Sequence, residues 1–210
     1  MTEIYRVSKY LGENNPELTR LTGKEWEHAI EKADEEIEAI AADIIETTAR
    51  RSIAQGRAFG IWRKEEALFQ KAFTYEYTLD QKQAIDEVFA DMELGEPMDR
   101  LLSGDVGFGK TEVAMNAIYK AVLSGTQVAV ISPLLVLADE HYETFLDRLG
   151  PFSVKVGILT RMNSEKEAKQ TLGDLKEGKI DILVGTHRLL SEDIIWKKLG
   201  LLIIDEEHKF

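Results

Sequence analysis

Apolar residues recur at helical spacing between Lys24 and Arg50. Intervals of three and four positions place them on one face of a helix about 40 Å long. These apolar residues are Trp26, Ala29, Ile30, Ala33, Ile37, Ile40, Ala41, Ile44 and Ile45. The remaining positions are rich in Asp and Glu and poor in bases. The pattern predicts a long amphipathic helix that ends by Gly56, whose acidic face is either a solvated outer surface or an acidic docking surface.

From residue 99 onward, short runs rich in apolar and β-branched residues alternate with helical periods. The strand-like runs cover residues 101–102, 128–131, 154–159, 180–184 and 201–204. The helical periods cover residues 113–123, 137–149 and 165–175. Strands that alternate with helices are typical of an α/β fold, in which helices cover both faces of a parallel sheet.

Composition narrows the class of protein. The 210 residues are 44% hydrophobic and 30% charged, as expected for a globular domain with an appendage. The sequence has no Cys, no apolar run long enough to span a membrane and no signal-peptide core, so we expect a cytoplasmic protein without a membrane partner. A net charge of −12 argues against a protein whose whole surface binds nucleic acid. A local basic groove is still compatible with this net charge.

A glycine-rich loop carries the clearest chemical motif. Its residues follow the pattern G-x-x-x-x-G-K-T and are Gly104, Asp105, Val106, Gly107, Phe108, Gly109, Lys110 and Thr111. Such a loop wraps its backbone N–H groups around phosphates, and the helix that follows adds its positive end to the same anion. We predict that Lys110 reaches the β- and γ-phosphates of ATP and that the Thr111 hydroxyl binds Mg²⁺.

A second acidic motif follows the last apolar run. Residues 201–204 are predicted to deliver Asp205 to the carboxyl edge of the sheet, where ligands bind in open α/β folds. We therefore predict that Asp205 joins Thr111 at the magnesium ion and that Glu206 polarises the attacking water. Lys110, Asp205 and Glu206 are the expected catalytic residues.

Thr78 and Gln81 admit two interpretations that do not exclude each other. The spacing T-x-x-Q is that of a capping box, which accounts for both residues as the start of a helix. The Gln81 amide is also suited to reading adenine, with Phe73 stacking on the base.

Residues 97–114 resemble the nucleotide-binding motif of the bacterial transcription-repair coupling factors (Mfd), which belong to helicase superfamily 2. Residues 141–145, 185–190 and 201–210 are similar to later motifs of that family, whereas the related RecG helicases are a less close match. The resemblance divides the chain into three parts. Residues 1–20 resemble the end of an RNA-polymerase-interacting domain, residues 21–56 the linker helix, and residues 57–210 a truncated N-terminal RecA-like motor lobe.

The resemblance implies an ATP-driven motor that moves along double-stranded DNA and displaces a stalled RNA polymerase during repair. It implies that Glu207 and His208 couple ATP hydrolysis to movement, and that Arg161, Thr186 and Arg188 contact the DNA backbone. It also implies that the second RecA-like lobe and its arginine finger are absent from this chain. The isolated chain is then expected to bind ATP far better than it hydrolyses it.

The sequence departs from the family pattern after the second strand-like run. The family typically has threonines where this chain has Leu134 and Leu135, and amides where it has Asp139 and Glu140. The hydroxyl donors are lost and the acids repel phosphate, so DNA contact at this motif is in doubt. Two alternatives therefore stay open: a nucleotide-binding module without turnover, and a RecG-like fork-remodelling helicase.

Overall fold

The computed structural model describes residues 24–206 and residue 209. The chain separates into two units, one that contains the first helix and one that spans residues 54–210, and each is described by itself. The part predicted to end a polymerase-interacting domain, residues 1–20, lies outside the described residues.

The predicted amphipathic helix is α1, Lys24–Ile53. Ion pairs one turn apart support it, including Arg50 with Glu46 at 2.6 Å, and the basic residues of its last turn suit the negative end of the helix dipole. The isoleucines of its apolar stripe are exposed; Ile37, for example, is 62% exposed.

Residues 54–210 contain five more helices and four strands within the described part of the chain. The helices are α2 (Arg63–Lys71), α3 (Leu79–Met92), α4 (Lys110–Leu123), α5 (Leu135–Leu149) and α6 (Glu165–Glu177). The strands are β1 (Gln127–Ile131), β2 (Val156–Leu159), β3 (Ile182–Gly185) and β4 (Leu199–Ile204). Two short 3-10 turns, Gly150–Phe152 and His187–Leu190, complete the unit.

Local sequence signals explain where several helices begin and end. Ser164 and Glu167 form a reciprocal capping box at the start of α6, which ends at Gly178 in the left-handed conformation. Thr78 and Gln81 form the same kind of box at the start of α3, so the capping interpretation of these residues is confirmed.

The four strands form one parallel sheet in the order β2-β3-β1-β4. Alternate residues of each strand face opposite sides, as the period of two requires. Val128 and Val130 pack with α4 and α5 in the larger core, whereas Ile131 packs with α6 in a smaller one. The predicted α/β fold with helices on both faces of a parallel sheet is confirmed.

The strand expected at residues 101–102 is not formed, so that prediction was wrong. These residues have no ladder partner, and Leu101 is 74% exposed. A cavity lined by both residues 101–104 and residues 201–204 separates this segment from β4, and no backbone hydrogen bonds join the two. The segment therefore leads into the glycine-rich loop as irregular chain.

In the part of the chain that the structure describes, no helix has the length and hydrophobicity required to cross a bilayer.

Candidate functional site

The glycine-rich loop runs into the N-terminus of α4 through two residues in the left-handed region. Gly107 has φ +83° and Gly109 has φ +76°, a conformation that glycine adopts without steric cost. A Cβ added to Gly109 would lie 2.4 Å from Nε2 of Gln81. The backbone angle requires glycine at position 109, whereas a Cβ there would displace only the end of the Gln81 side chain.

Lys110 is the first residue of α4 and lies against the loop that precedes it. Its Nζ donates to the carbonyl oxygens of Gly104 at 2.6 Å and Asp105 at 3.0 Å. Gly109 has no side chain to cap the helix, and the Glu112 N–H donates to the Gly109 carbonyl at 3.0 Å, so the amides of Lys110 and Thr111 are the ones available to a ligand. An ammonium group and the positive end of a 14-residue helix therefore meet at one place, which favours an anion.

Asp205 and Glu206 follow β4 and line the same cavity of about 680 Å³ as Lys110 and Thr111. The backbone N–H of Asp205 donates to the Ile131 carbonyl at 2.9 Å, which fixes the turn beside the end of β1. The sheet has therefore brought together the predicted catalytic residues despite their distance in sequence.

The oxygen donors in this cavity fit a magnesium ion shared with phosphates. Thr111 offers a hydroxyl and Asp205 a carboxylate, and Mg²⁺ is commonly held by one or two such groups together with substrate phosphates and waters. Among the described residues, no group of three or more His, Asp and Glu side chains could hold a metal by itself.

His141, on α5, contacts the predicted magnesium ligand directly. Its Nε2 lies 2.8 Å from Oδ2 of Asp205, and its ring stacks on Phe145. In the sequence, His141 stood out only as part of a segment, residues 141–145, that resembles a family motif; contact with an acid 64 positions away leaves no local signal. The contact fixes the orientation of the Asp205 carboxylate, as a residue outside the metal's own shell would for the predicted ligand.

Glu206 has a φ of +54°, an unusual angle for a residue with a side chain. Its carboxylate lies 3.0 Å from Nζ of Lys209. Backbone strain of this kind concentrates at functional sites, and here it occurs at the residue predicted to act on water. Glu207 and His208, to which we assigned coupling, lie outside the described residues.

Gln81 and Phe73, the predicted adenine-binding residues, are not among the residues that line the cavity, and of the two only Gln81 contacts the loop. The Gln81 amide accepts from the Thr78 N–H and donates to the Phe108 carbonyl at 2.9 Å. Phe73 packs on the rings of Tyr75 and Tyr77.

A buried polar network behind the loop escaped the sequence analysis. Glu112, 3% exposed, accepts a hydrogen bond from the Tyr77 hydroxyl and two from Arg148, at 2.8 and 3.2 Å. Burial, with a smaller contribution from Glu112, raises the pKa of Tyr77 to about 12. The sequence signal was a row of polar residues four positions apart, Glu112, Asn116 and Lys120, within a helix that is otherwise largely apolar.

Unlike the residues of the phosphate site, the three residues expected to contact DNA do not line the cavity. Thr186 is buried, Arg161 is exposed on the turn after β2, and Arg188 forms a two-pronged ion pair with Asp193 at 2.5 and 2.7 Å. The hydrogen bond from Arg188 lowers the pKa of the Asp193 carboxyl. DNA contact by these residues stays a prediction, as does its loss around the exposed Asp139 and Glu140.

The parallel sheet, the glycine-rich loop at a helix N-terminus and the acid at the end of a neighbouring strand define a phosphate-loop nucleotide-binding protein. The family model for DEAD/DEAH box helicases matches residues 78–210. The chain belongs to this helicase family.

Curated relatives match almost the whole chain. The transcription-repair-coupling factor of Bacillus subtilis (strain 168) is 45% identical over 210 residues, which is 99% of this chain and 18% of that protein. The transcription-repair-coupling factor of Staphylococcus aureus (strain USA300) is 46% identical, with the same coverage. The chain thus spans less than a fifth of the length of these relatives.

Solved structures agree with the fold. RecG, in a structure bound to a three-way DNA junction, is 37% identical with a TM-score of 0.74, over 79% of this chain and 23% of RecG. A hypothetical ATP-dependent RNA helicase from Sulfolobus tokodaii is 19% identical with a TM-score of 0.52, over 70% of this chain and 42% of that protein. The second likeness supports the fold alone.

Proposed function

We propose that this chain is the ATP-binding lobe of a DNA-translocating motor of the transcription-repair coupling type. One observation carries the proposal: Lys110, Thr111, Asp205 and Glu206, chosen for their chemistry, line one cavity at the N-terminus of α4. The family match and the relatives named transcription-repair-coupling factors support a helicase motor.

In this proposal the chain's own groups divide the work on the triphosphate. Lys110 and the first-turn amides of α4 neutralise the phosphate oxygens, with Lys110 exchanging its two loop carbonyls for the ligand. Thr111 and Asp205 would hold Mg²⁺, which supplies further positive charge beside the phosphates. Glu206 orients the attacking water and accepts its proton.

The Gln81 amide retains the groups needed to recognise a purine. A primary amide has two donor hydrogens and two acceptor lone pairs. Capping uses one lone pair and the contact with Phe108 uses one hydrogen, so one of each remains. Adenine presents a donor and an acceptor side by side, which such an amide can match.

We propose double-stranded DNA, RNA polymerase and a second RecA-like lobe as the partners of the complete motor. The lobe would close on the nucleotide and supply the arginine that stabilises the transition state. Because such an arginine contributes about 10³ to 10⁵ in rate, the 210-residue chain should bind ATP with little hydrolysis.

Lys110→Ala tests the nucleotide site. The variant loses the ammonium group that faces the phosphates, so its affinity for Mg-ATP should fall about 100-fold or more while its circular dichroism is unchanged. Isothermal titration calorimetry of the 210-residue chain measures the affinity. The control is Lys169→Ala, which removes an exposed lysine of α6. Equal affinity for ATP in the Lys110→Ala variant and the wild type would reject the assignment.

A further inference from the structure

The buried network around Glu112 joins four parts of the molecule at one carboxylate. Tyr77 comes from the segment between α2 and α3, Glu112 from the first turn of α4, and Arg148 from the last turn of α5. Arg148 also donates to the carbonyl of Phe69 on α2 at 2.8 Å, and its guanidinium lies 3.8 Å from the centre of the Phe69 ring. The carboxylate is therefore fixed from several directions.

The network is joined to both halves of the proposed nucleotide site through the chain and through one ring contact. Glu112 follows Thr111 in the chain, so its position is tied to the phosphate-binding turn. Tyr77 precedes the helix cap Thr78, and its ring packs on Phe73 with 4.8 Å between ring centres. A displacement of Glu112 would therefore be transmitted to the segment that carries Phe73 and Gln81.

A second contact joins the same two parts on the loop side. The Gln81 amide donates to the Phe108 carbonyl within the glycine-rich loop. The segment is thus held to the loop by Gln81 and to the helix behind the loop by Tyr77. Two attachment points fix an orientation, whereas one would leave the segment free to pivot.

We propose that Tyr77, Glu112 and Arg148 are positioning residues that hold the base-recognition segment, residues 73–81, in register with the phosphate-binding turn. The proposal rests on the proposed function of the site. None of the three residues lines the cavity, so they act on the nucleotide through Phe73, Gln81 and the first turn of α4.

Buried charge makes this network specific in its geometry. The Arg148 guanidinium engages both oxygens of Glu112, a planar arrangement that a lysine cannot reproduce. Asn116 donates to the Tyr77 hydroxyl at 3.3 Å and to the Glu112 carbonyl at 2.9 Å, which supports the same two residues from α4. Removal of one member leaves the others buried without full partners, so the segment loses its fixed position.

Tyr77→Phe tests the proposal in the 210-residue chain with two probes, Mg-ATP and inorganic tripolyphosphate. The variant keeps the ring and loses only the hydroxyl. We expect its affinity for Mg-ATP to fall about tenfold, the factor that a hydrogen bond to a charged group represents. Tripolyphosphate has no base that the segment could position, so its affinity should stay within about twofold of the wild type. A twofold change corresponds to about 0.4 kcal/mol. Calorimetry measures both.

The control is Tyr75→Phe, because Tyr75 is 76% exposed on the same segment and its ring also packs on Phe73. This variant should bind both probes as the wild type does. Equal losses for ATP and tripolyphosphate in Tyr77→Phe would mean that the network only supports the fold, and no loss for either would mean that it does not position the segment. A wild-type chain that bound neither probe would contradict the proposed function itself, and the network's role with it.

Hydrogen exchange of the wild-type chain tests the same coupling without a mutation. Tripolyphosphate contacts only the phosphate side of the site, yet it should slow exchange of the backbone amides of residues 73–78 if the network transmits the effect. Unchanged exchange in this segment at saturating tripolyphosphate would overturn the proposal.

Discussion

The two ends of α4 each bury a charged side chain, and they use it differently. Glu112 lies in the first turn and pairs with Arg148, while Lys120 lies in the last turns and pairs with Glu66 at 2.7 Å and Glu93 at 2.8 Å. Both charges join α4 to other elements of the fold. Only Glu112 adjoins a residue of the proposed nucleotide site, since Thr111 precedes it in the chain.

The composition of the two clusters reflects this difference. Lys120 is 0% exposed, and its partners belong to α2 and to the cap that follows α3, with Phe89 packed 4.6 Å from its ammonium group. That cluster ties helices together. The cluster at Glu112 includes a tyrosine from the proposed base-recognition segment, so it ties a helix to a segment of the proposed nucleotide site. Buried charge on one helix thus stabilises the packing of helices at one end and holds the geometry of the proposed site at the other.

Lys120→Met should give the largest effect on stability. It leaves the carboxylate of Glu66, which is buried, without its cation, and breaking a buried pair costs about 3–5 kcal/mol. Urea unfolding should show this decrease in the free energy of unfolding, while the folded variant binds Mg-ATP with an affinity within about twofold of the wild type.

Adding Glu66→Gln and Glu93→Gln to Lys120→Met should restore part of the loss, because the uncompensated charges are then removed. Lys169→Met, on the exposed face of α6, is the matched control and should change the free energy of unfolding by less than about 0.5 kcal/mol. A loss below about 1 kcal/mol for Lys120→Met would show that this end of α4 does not carry the stability that its burial implies.

Sequence reasoning captured the elements whose pattern is local. Alternating runs and helical periods identified the four observed strands and helices α1, α4, α5 and α6, and the spacing T-x-x-Q identified the start of α3. The phosphate loop and Asp205 could be predicted from local motifs because their proposed chemistry depends on adjacent residues. The prediction of a strand at residues 101–102 was wrong for the opposite reason. A strand requires a partner strand, and two leucines do not specify one.

The two buried networks were not predicted from the sequence because their members are far apart in the chain. Lys120 and Glu66 are separated by 54 positions, and Tyr77 and Glu112 by 35, so no motif spacing relates them. His141 and Asp205 likewise meet only because α5 follows β1 and β4 pairs with β1. The chemical groups of the proposed site can be predicted from local motifs. Which side chains support them depends on the topology of the fold.

Glu112→Gln should destabilise the protein less than Lys120→Met does. The variant keeps the size of the side chain and loses the charge that Arg148 engages, so the free energy of unfolding should fall by about 1.5–3 kcal/mol. Unlike Lys120→Met, it should also weaken Mg-ATP binding by about fivefold or more, because the turn that carries Thr111 loses its anchor.

Glu87→Gln serves as the control for loss of a carboxylate in an exposed ion pair. Glu87 contacts Arg100 at 2.7 Å near the surface, and such pairs contribute about 0–1 kcal/mol. If Glu112→Gln destabilised the protein as much as Lys120→Met and left ATP affinity unchanged, the two ends of α4 would serve the same structural purpose.

The smallest effect on stability is expected from alkaline pH acting on Tyr77, at the Glu112 end of α4. The pKa of Tyr77 rises from 10.0 to about 12 because its hydroxyl is buried and lies beside Glu112. A raised pKa means that the unfolded chain releases this proton first, so the stability that Tyr77 contributes is fully present below pH 10 and is lost as pH rises through 12. The difference in the free energy of unfolding between the wild type and Tyr77→Phe should therefore shrink over this interval.

Urea unfolding at several pH values measures this difference. Subtraction of the two curves removes the titration of the other tyrosines and lysines, which both proteins share. Tyr75→Phe, which removes an exposed hydroxyl, should show a constant difference from the wild type. A constant difference for Tyr77→Phe as well would mean that its hydroxyl is not held by the buried carboxylate, and the distinction between the two ends of α4 would then rest on Arg148 alone.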